Sequence, residues 1–544
     1  MTTARASTRP HPRPALVLAR GAALLLAATS LAAATGLPAS AAPPDRPLFD
    51  PTRLHTPLGS TLLLAVPGEA WLDIGHVSEI PVAVVDPAGP TRIPAETAVY
   101  ARLRVEPALI LTAASWDLIS FYRLHADLEL VRHDLAVGDG RAILAADDDA
   151  RRDTGRVGAV LDALDFTAAG DHVALQLGLM RSGWGLGLLA NPGELVAFDD
   201  DESSPFGYPR QADRNLRAQL AVFPLARARA DAPPPLTVAL AFDAVIDDDT
   251  AHWADGDRAY QGIAAVRGHA GPVAAGFYAV HRRQTHHEGG ETVVTVLDVT
   301  ARASLIKRPG LEAWLEGEGA LILGSSSLAQ SPTDPGAYDV GAAGGILRFG
   351  VRAGVFTGVI EAGTASGDDN PFDDEVHGFS FDREYRVGLL LFRELLRDET
   401  AVTAANIEDP TYRGSPPRGY ETLATEGAVR GASYVNPRAT FHITDDLRLD
   451  LGFLWAASDG DYVDAFQSGL IGGAAVGPRG ARAADSLGYE VDAGLRYRLR
   501  VGSVLVLEAR LQGAWCRPGA VFDTADGEAA DDLYGLLAEL GGRF

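Results

Sequence analysis

The chain has 544 residues but one cysteine, Cys516, and one lysine, Lys307. A lone thiol excludes an intramolecular disulfide framework, so stability has to come from hydrogen bonding and packing. Basic charge is also scarce. With a formal net charge of -25 the chain is strongly acidic, and self-repulsion argues against a nucleic-acid-binding surface. Beyond the N-terminal region there is no uninterrupted apolar run of the length a transmembrane helix needs, about 18 residues or more. A membrane-spanning body then has to be a closed β-barrel, the other structure that satisfies every backbone group in lipid. H-E-x-x-H, G-x-S-x-G and paired-cysteine motifs are missing too, so the sequence points to no enzyme.

The N-terminus carries Arg5, Arg9, Arg13 and Arg20 with no acidic residue, then an Ala- and Leu-rich stretch over 21–37, then Ala39-Ser40-Ala41. Basic region, short apolar region and small-residue cleavage site together make residues 1–41 a secretory signal peptide. Residues 42–95 are Pro-rich and poorly periodic. They are expected to form a periplasmic extension, a plug or irregular first strands, with the barrel proper over 96–544.

The body of the chain alternates in twos. Leu447, Leu449, Leu451, Phe453 and Trp455 are apolar, while Arg448, Asp450 and Gly452 lie between them. Over 487–501, Leu487, Tyr489, Val491, Leu495, Tyr497 and Leu499 alternate with Glu490, Asp492, Arg496, Arg498 and Arg500. The next segment sets Leu505, Leu507 and Leu511 against Glu508 and Arg510. On a helix these charges would be spread around the axis; on a strand they form one charged face and one apolar face. Arg123, His125, Asp127 and Glu129 repeat the pattern far upstream. The fold class is therefore all-β, a single antiparallel transmembrane barrel of about 16 strands, range 14–18. Such a barrel is wide enough for an aqueous interior. Short connections at 444–446 and 501–503 alternate with long ones at 458–486 and 516–533, as expected for periplasmic turns and extracellular loops. Strand parity asks for one more outward strand in the Pro-containing region after 395, and 420–430 is its expected place.

The last strand places Tyr534, Leu536, Ala538, Leu540 and Phe544 on one face, and the chain stops on the aromatic residue. This resembles the C-terminal signature of Gram-negative outer-membrane barrels, departing from it at Gly542. The resemblance implies an outer-membrane location and recognition by the barrel-assembly machinery, with outer-membrane lipid and lipopolysaccharide as surroundings. The stretch MRSGWGLGLLAN over 180–191 and the later EVDAGLRYRL are similar to an uncharacterised family of large predicted outer-membrane barrels. The first of these also has a likeness to barrels that export polysaccharide.

Candidate pore-lining residues are Arg123, Arg448, Asp450, Glu490, Asp492, Arg496, Arg498, Arg500, Glu508 and Arg510. Rings of lumenal charge set pore selectivity. The same groups can equally pair across strands and brace the wall. The acidic cluster Asp368, Asp369, Asp373, Asp374 and Glu375 could supply oxygen ligands for a loop-bound Ca²⁺, although its spacing fits no EF-hand and a solvated loop is the plainer account. No other cofactor is expected. His281, His286, His287 and Glu288 form a second metal-type cluster, with adjacent histidines that would point to opposite faces of a strand. The expected function is an outer-membrane channel, porin-like or for export, with a charged lumen. The alternative is a non-conducting structural or adhesive barrel acting through acidic extracellular loops.

Overall fold

The computed structural model describes residues 62–86, 89–93, 95–112, 121–134, 160–193, 204–207, 213–225, 234–287, 289–328, 338–368, 375–408, 423–502 and 505–544. The signal-peptide region 1–41 lies outside the described residues, as do Asp369, Asp373, Asp374 and Glu288.

Eighteen strands close into one antiparallel barrel. They are β1 (Gly68–Val77), β2 (Glu96–Val105), β3 (Phe121–Asp134), β4 (Val160–Ala169), β5 (Val173–Arg181) and β6 (Arg214–Val222). Next come β7 (Leu236–Asp247), β8 (Arg258–Ala270), β9 (Val273–Thr285), β10 (Glu291–Arg308), β11 (Leu311–Ser326) and β12 (Tyr338–Ala353). The circuit ends with β13 (Phe356–Ala365), β14 (Ala432–His442), β15 (Leu447–Tyr462), β16 (Ala484–Val501), β17 (Leu505–Pro518) and β18 (Leu533–Arg543). Leu62–Ala65 and Ala108–Thr112 continue β1 and β2 beyond short breaks and pair with each other. Closure is made by β1, which pairs with β18 from Glu69 opposite Arg543 to Val77 opposite Gly535 and with β2 on its other side. Among the described residues this closure pairs both end strands of the barrel circuit, while Ile80–Asp86 and Gly89–Ile93 form a separate two-stranded hairpin.

The count falls at the top of the expected range. The barrel begins before residue 96, because 62–77 already belong to its wall. The strand expected over 420–430 does not exist among the described residues 423–430, which pair only through a single bridge from Arg430 to Ser380. Instead β13 pairs directly with β14. The connection between them starts and ends at the same rim, so parity needs no extra strand. Its apolar residues Leu390, Leu391, Phe392, Leu395 and Leu396 fall at helical spacing, and they form a π-helical turn, Leu391–Leu396, running into helix α1 (Arg397–Glu408). Pro410, Pro416 and Pro417 follow, residues that disfavour a wall strand.

Alternation sorts the two faces as the sequence implies. In β7, Leu240 and Phe242 are 60% and 57% exposed on the outside, while Ala239, Ala241 and Asp243 are buried on the inside. Similar outward residues recur around the circuit, among them Leu216, Leu347, Ile360, Leu495 and Leu536. This exposed apolar belt on a closed barrel is the architecture of an outer-membrane barrel, whose outer face meets lipid. No described helix is long and apolar enough to cross a membrane.

The two rims differ. At one, β10 turns into β11 at Pro309-Gly310 and β12 into β13 at Gly354-Val355, with Gly310 at φ 76° and Gly354 at φ 57°. Tight hairpins need such left-handed residues, which glycine adopts without penalty. At the other rim the connections 182–213, 366–431 and 463–483 are long. Short periplasmic turns and long extracellular loops orient the barrel, with Phe544 on the periplasmic side.

Candidate functional site: a lumen narrowed by two inserted segments

Two of the long connections enter the barrel. The first follows β5. Trp184 reaches across to β9 and β10, stacking on Tyr278 with centroids 5.1 Å apart and donating its Nε1–H to Asp298 at 2.8 Å. The Leu186 amide donates to Glu318 of β11. A Cβ on Gly185 would lie 2.4 Å from the Glu318 carboxylate, and the residue has φ 56°, so glycine is what allows this approach. The Gly- and Trp-bearing stretch singled out in the sequence is thus the start of a loop that folds against the inner wall.

The same loop then reaches another part of the wall. Phe206 packs where Gly452 of β15 leaves room, since a Cβ there would stand 2.7 Å from the ring. Gln512 of β17 accepts from the Gly207 amide at 2.9 Å and donates to the Gly207 carbonyl at 3.2 Å. Arg496 of β16 donates to the Pro205 carbonyl at 2.5 Å.

The second inserted segment is 377–408. Phe379, Phe381, Tyr385, Leu389, Leu390, Leu391, Phe392, Leu395 and Leu396 form an apolar core inside the barrel with Leu188 and Phe206 of the first loop and Tyr434, Leu454, Leu487 and Leu537 of the wall. The two segments are tied together: the Asp382 amide donates to the Leu188 carbonyl at 2.7 Å, and the Asn191 amide donates to the Asp382 carboxylate at 2.8 Å. Burial, reinforced by the nearby Asp249 charge, pushes the Asp382 carboxyl well above the usual carboxylate range.

All of the candidate charges on β15–β17 have inward positions, but they divide into two sets. Arg448, Asp450, Glu490, Asp492, Arg496, Glu508 and Arg510 are buried. Asp450 accepts from Arg448 at 2.8 Å and faces Arg496 at 3.3 Å. Arg510 lies between Glu508 at 3.4 Å and Glu539 at 3.7 Å. Glu490 accepts three backbone N–H groups of the second inserted segment. Asp492 is buried two positions along the same inward face as Glu490. Cross-strand pairing of this kind is what bracing of the wall requires. The second set meets water. Arg498 donates to the Asp445 carbonyl at 3.3 Å, Arg500 lies 3.6 Å from Asp446 at the periplasmic rim, and Arg123 pairs with Asp165 at 3.1 Å.

Further inward ion pairs did not figure among the candidates. Arg217 and Asp243 make a bidentate pair with both contacts at 2.7 Å. Glu361 accepts from Arg348 at 2.6 Å, Tyr434 at 2.6 Å and Arg438 at 3.1 Å. Each carries the sequence signal used elsewhere, a charge at an alternate position in an apolar run: Asp243 in LTVALAFDAVID and Glu361 in FTGVIEAGTA.

The described members of the two metal-type clusters have separate partner groups. Glu375 hydrogen-bonds to His377 at 2.7 Å, and Asp368 accepts from the His377 amide at 3.4 Å. His281, His286 and His287 bond separately to Thr295, Thr292 and Asp257. Among the described residues no group of three or more His, Cys, Asp or Glu is arranged to hold a metal ion. On the terminal strand, Tyr534, Leu536 and Leu540 are exposed on the outer face. Phe544 exchanges backbone hydrogen bonds with Gly68 at 2.9 Å.

No family model and no curated protein matches the chain. Solved structures do resemble it in fold. Pseudomonas aeruginosa OccK5 (OpdH) aligns with TM-score 0.47 and 9% identity, covering 88% of this chain and 98% of that one. Acinetobacter baumannii OccAB2 aligns with TM-score 0.47 and 10% identity over 88% and 98% of the two chains. Pseudomonas aeruginosa OpdK, solved with vanillate, gives TM-score 0.47 and 11% identity over the same shares.

Proposed function

We propose that this chain is a porin-like channel of the outer membrane, conducting small hydrophilic solutes through a charged lumen that the two inserted segments narrow. One observation carries the reading. Some inward charges reach solvent while paired: the Arg302 side chain, 2.8 Å from Glu316, is 41% accessible, and that of Arg123, 3.1 Å from Asp165, is 25% accessible. A wall of this many strands is too wide for its own side chains to fill. Inward guanidinium groups that meet water beside a narrowing loop are the elements of a selective aqueous path.

In this reading the candidate charges act in two ways. Arg123, Arg498 and Arg500, joined by Arg302, line the path and its periplasmic mouth. Arg448, Asp450, Glu490, Asp492, Arg496, Glu508 and Arg510 brace the wall and hold the inserted segments that set the bore. Lipid and lipopolysaccharide contact the outer belt, and the assembly machinery reads the outward face of β18.

Liposome swelling tests the proposal. Vesicles containing the refolded protein should admit sugars and amino acids up to a sharp size limit. Equal swelling rates in vesicles with and without the protein, when insertion has been demonstrated, would contradict it.

A further inference from the structure

We infer that Glu490 fixes the bore of this channel, by holding the second inserted segment against the wall; the inference rests on the channel reading above. Glu490 projects inward from β16, opposite Leu454 of β15 and Cys516 of β17. One of its carboxylate oxygens accepts from the Leu389 amide at 2.5 Å and the Leu390 amide at 2.9 Å, and the other accepts from the Leu391 amide at 2.7 Å. These amides open the helical run 391–408, whose first N–H groups have no partner within the helix. A carboxylate at that end also meets the positive end of the helix dipole.

The segment is shaped to reach this one group. Gly388 has φ 71°, and a Cβ there would lie 2.9 Å from Glu490 Oε1 and 3.0 Å from Leu454. Any side chain at 388 therefore strains the turn and pushes it off the carboxylate. Leu390 then packs where Gly535 of β18 leaves room, a Cβ at 535 standing 2.8 Å from it. Charges farther along are paired within the segment: Arg397 contacts Glu394 at 2.7 Å and Asp398 at 3.0 Å. Those ion pairs link residues within the helix. Glu490 ties its leading end to β16, and Arg348 of β12 donates to Tyr385 Oη at 2.6 Å ahead of it. Glu490 is thus a positioning residue, acting on the path through the segment it holds.

The chain carries its own reporter. Cys516 is its single cysteine; it stands directly opposite Glu490, is 0% exposed, and packs in the same apolar core as Leu390 and Leu391. A turn that leaves Glu490 uncovers this thiol to lumenal water. The experiment uses the refolded full chain, wild type and the variants Glu490→Ala, Glu490→Gln and Gly388→Ala. Folding is confirmed by heat-dependent gel mobility. Labelling of Cys516 by a charged, membrane-impermeant methanethiosulfonate is then followed alongside single-channel conductance.

Glu490→Ala removes three charge-assisted hydrogen bonds, of which even one is worth about tenfold, so it should label at least about tenfold faster than wild type, and its conductance should rise. Gly388→Ala, which leaves the wall intact, should do the same. Glu490→Gln should fall between, since its amide oxygen still accepts. Unchanged protection of Cys516 in folded Glu490→Ala and Gly388→Ala would overturn the inference whatever the conductance. Faster labelling in a barrel that never conducts would support the role of Glu490 and overturn the channel reading instead.

Discussion

At the scale of single residues, the interior of this barrel is organised by carboxylate–guanidinium pairs away from bulk water. Arg217 and Asp243 show what such a pair contributes. Both are buried, and their two contacts are bidentate. Removing one partner leaves an uncompensated charge and should cost about 3–5 kcal/mol, whereas replacing both by apolar residues of similar volume should be close to neutral. Urea unfolding of vesicle-inserted protein should therefore show Asp243→Ala well below wild type and Arg217→Met/Asp243→Leu close to it. Equal losses in both would mean that the pair is not a unit.

Arg496 and Arg498 separate bracing from lining in the same way. Arg496→Glu places a carboxylate beside buried Asp450 and removes the bond to Pro205, so yield of folded protein should fall. Arg498→Glu with Arg500→Glu lies at the wet periplasmic end and should shift the reversal potential toward cation preference without loss of assembly. An unchanged reversal potential would assign these two residues to bracing as well. Which face each charge occupies was legible from alternation alone. Its partner was not, because Glu361 meets Arg438 across 77 positions and Arg496 meets Pro205 across 291. Register and loop insertion decide such pairs, and neither is written locally.

At the scale of elements, the strands were the legible part, since a wall between lipid and an enclosed interior imposes period two on the sequence. Leu240, outward on β7, tests that assignment: Leu240→Arg should cost about 2–4 kcal/mol near the bilayer midplane, measured by refolding into vesicles. A neutral effect would place that face away from lipid. The terminal strand offers a second test. Its outward residues and the clasp of Phe544 on Gly68 predict that deleting Phe544 sharply lowers the amount of protein in the outer membrane. Normal assembly would remove the signal role from this end.

The inserted helical segment was the illegible part. Its apolar residues at 390–396 face a core built by β14, β15, β16 and β18 and by the first loop, so their own local sequence does not mark them as lumenal. The strand expected over 420–430 rests on strand parity, which a connection that starts and ends at one rim already satisfies. The Gly-rich stretch 180–191 was noticed as a motif, yet its place against the inner wall depends on Asp298 and Glu318 more than a hundred residues away.

A loop at the extracellular rim responds to pH. The hydrogen bond that the His252 Nδ1–H donates to Asp247 at 2.7 Å raises His252 above its usual value of 6.5. With the folded value above the unfolded one, this contact adds stability that is fully present below pH 6.5 and is lost as pH rises through the raised value. NMR titration should place His252 above the ordinary histidine range, and Asp247→Asn should bring it down.

At the scale of the whole molecule, closure, polarity and width act together. Pairing of β1 with β18 removes the sheet edges, the outer belt excludes water, and the inward charges need either partners or solvent. Arg217 and Asp243 pair out of water, whereas Arg123 and Arg302, each beside its own carboxylate, also meet water. A barrel used only as a scaffold has no need of that asymmetry. The most direct test is single-channel recording of the refolded protein in a planar bilayer. The account predicts steady ohmic steps whose size rises in Glu490→Ala. Silence from protein shown to be folded and inserted, in wild type and variant alike, would contradict the channel.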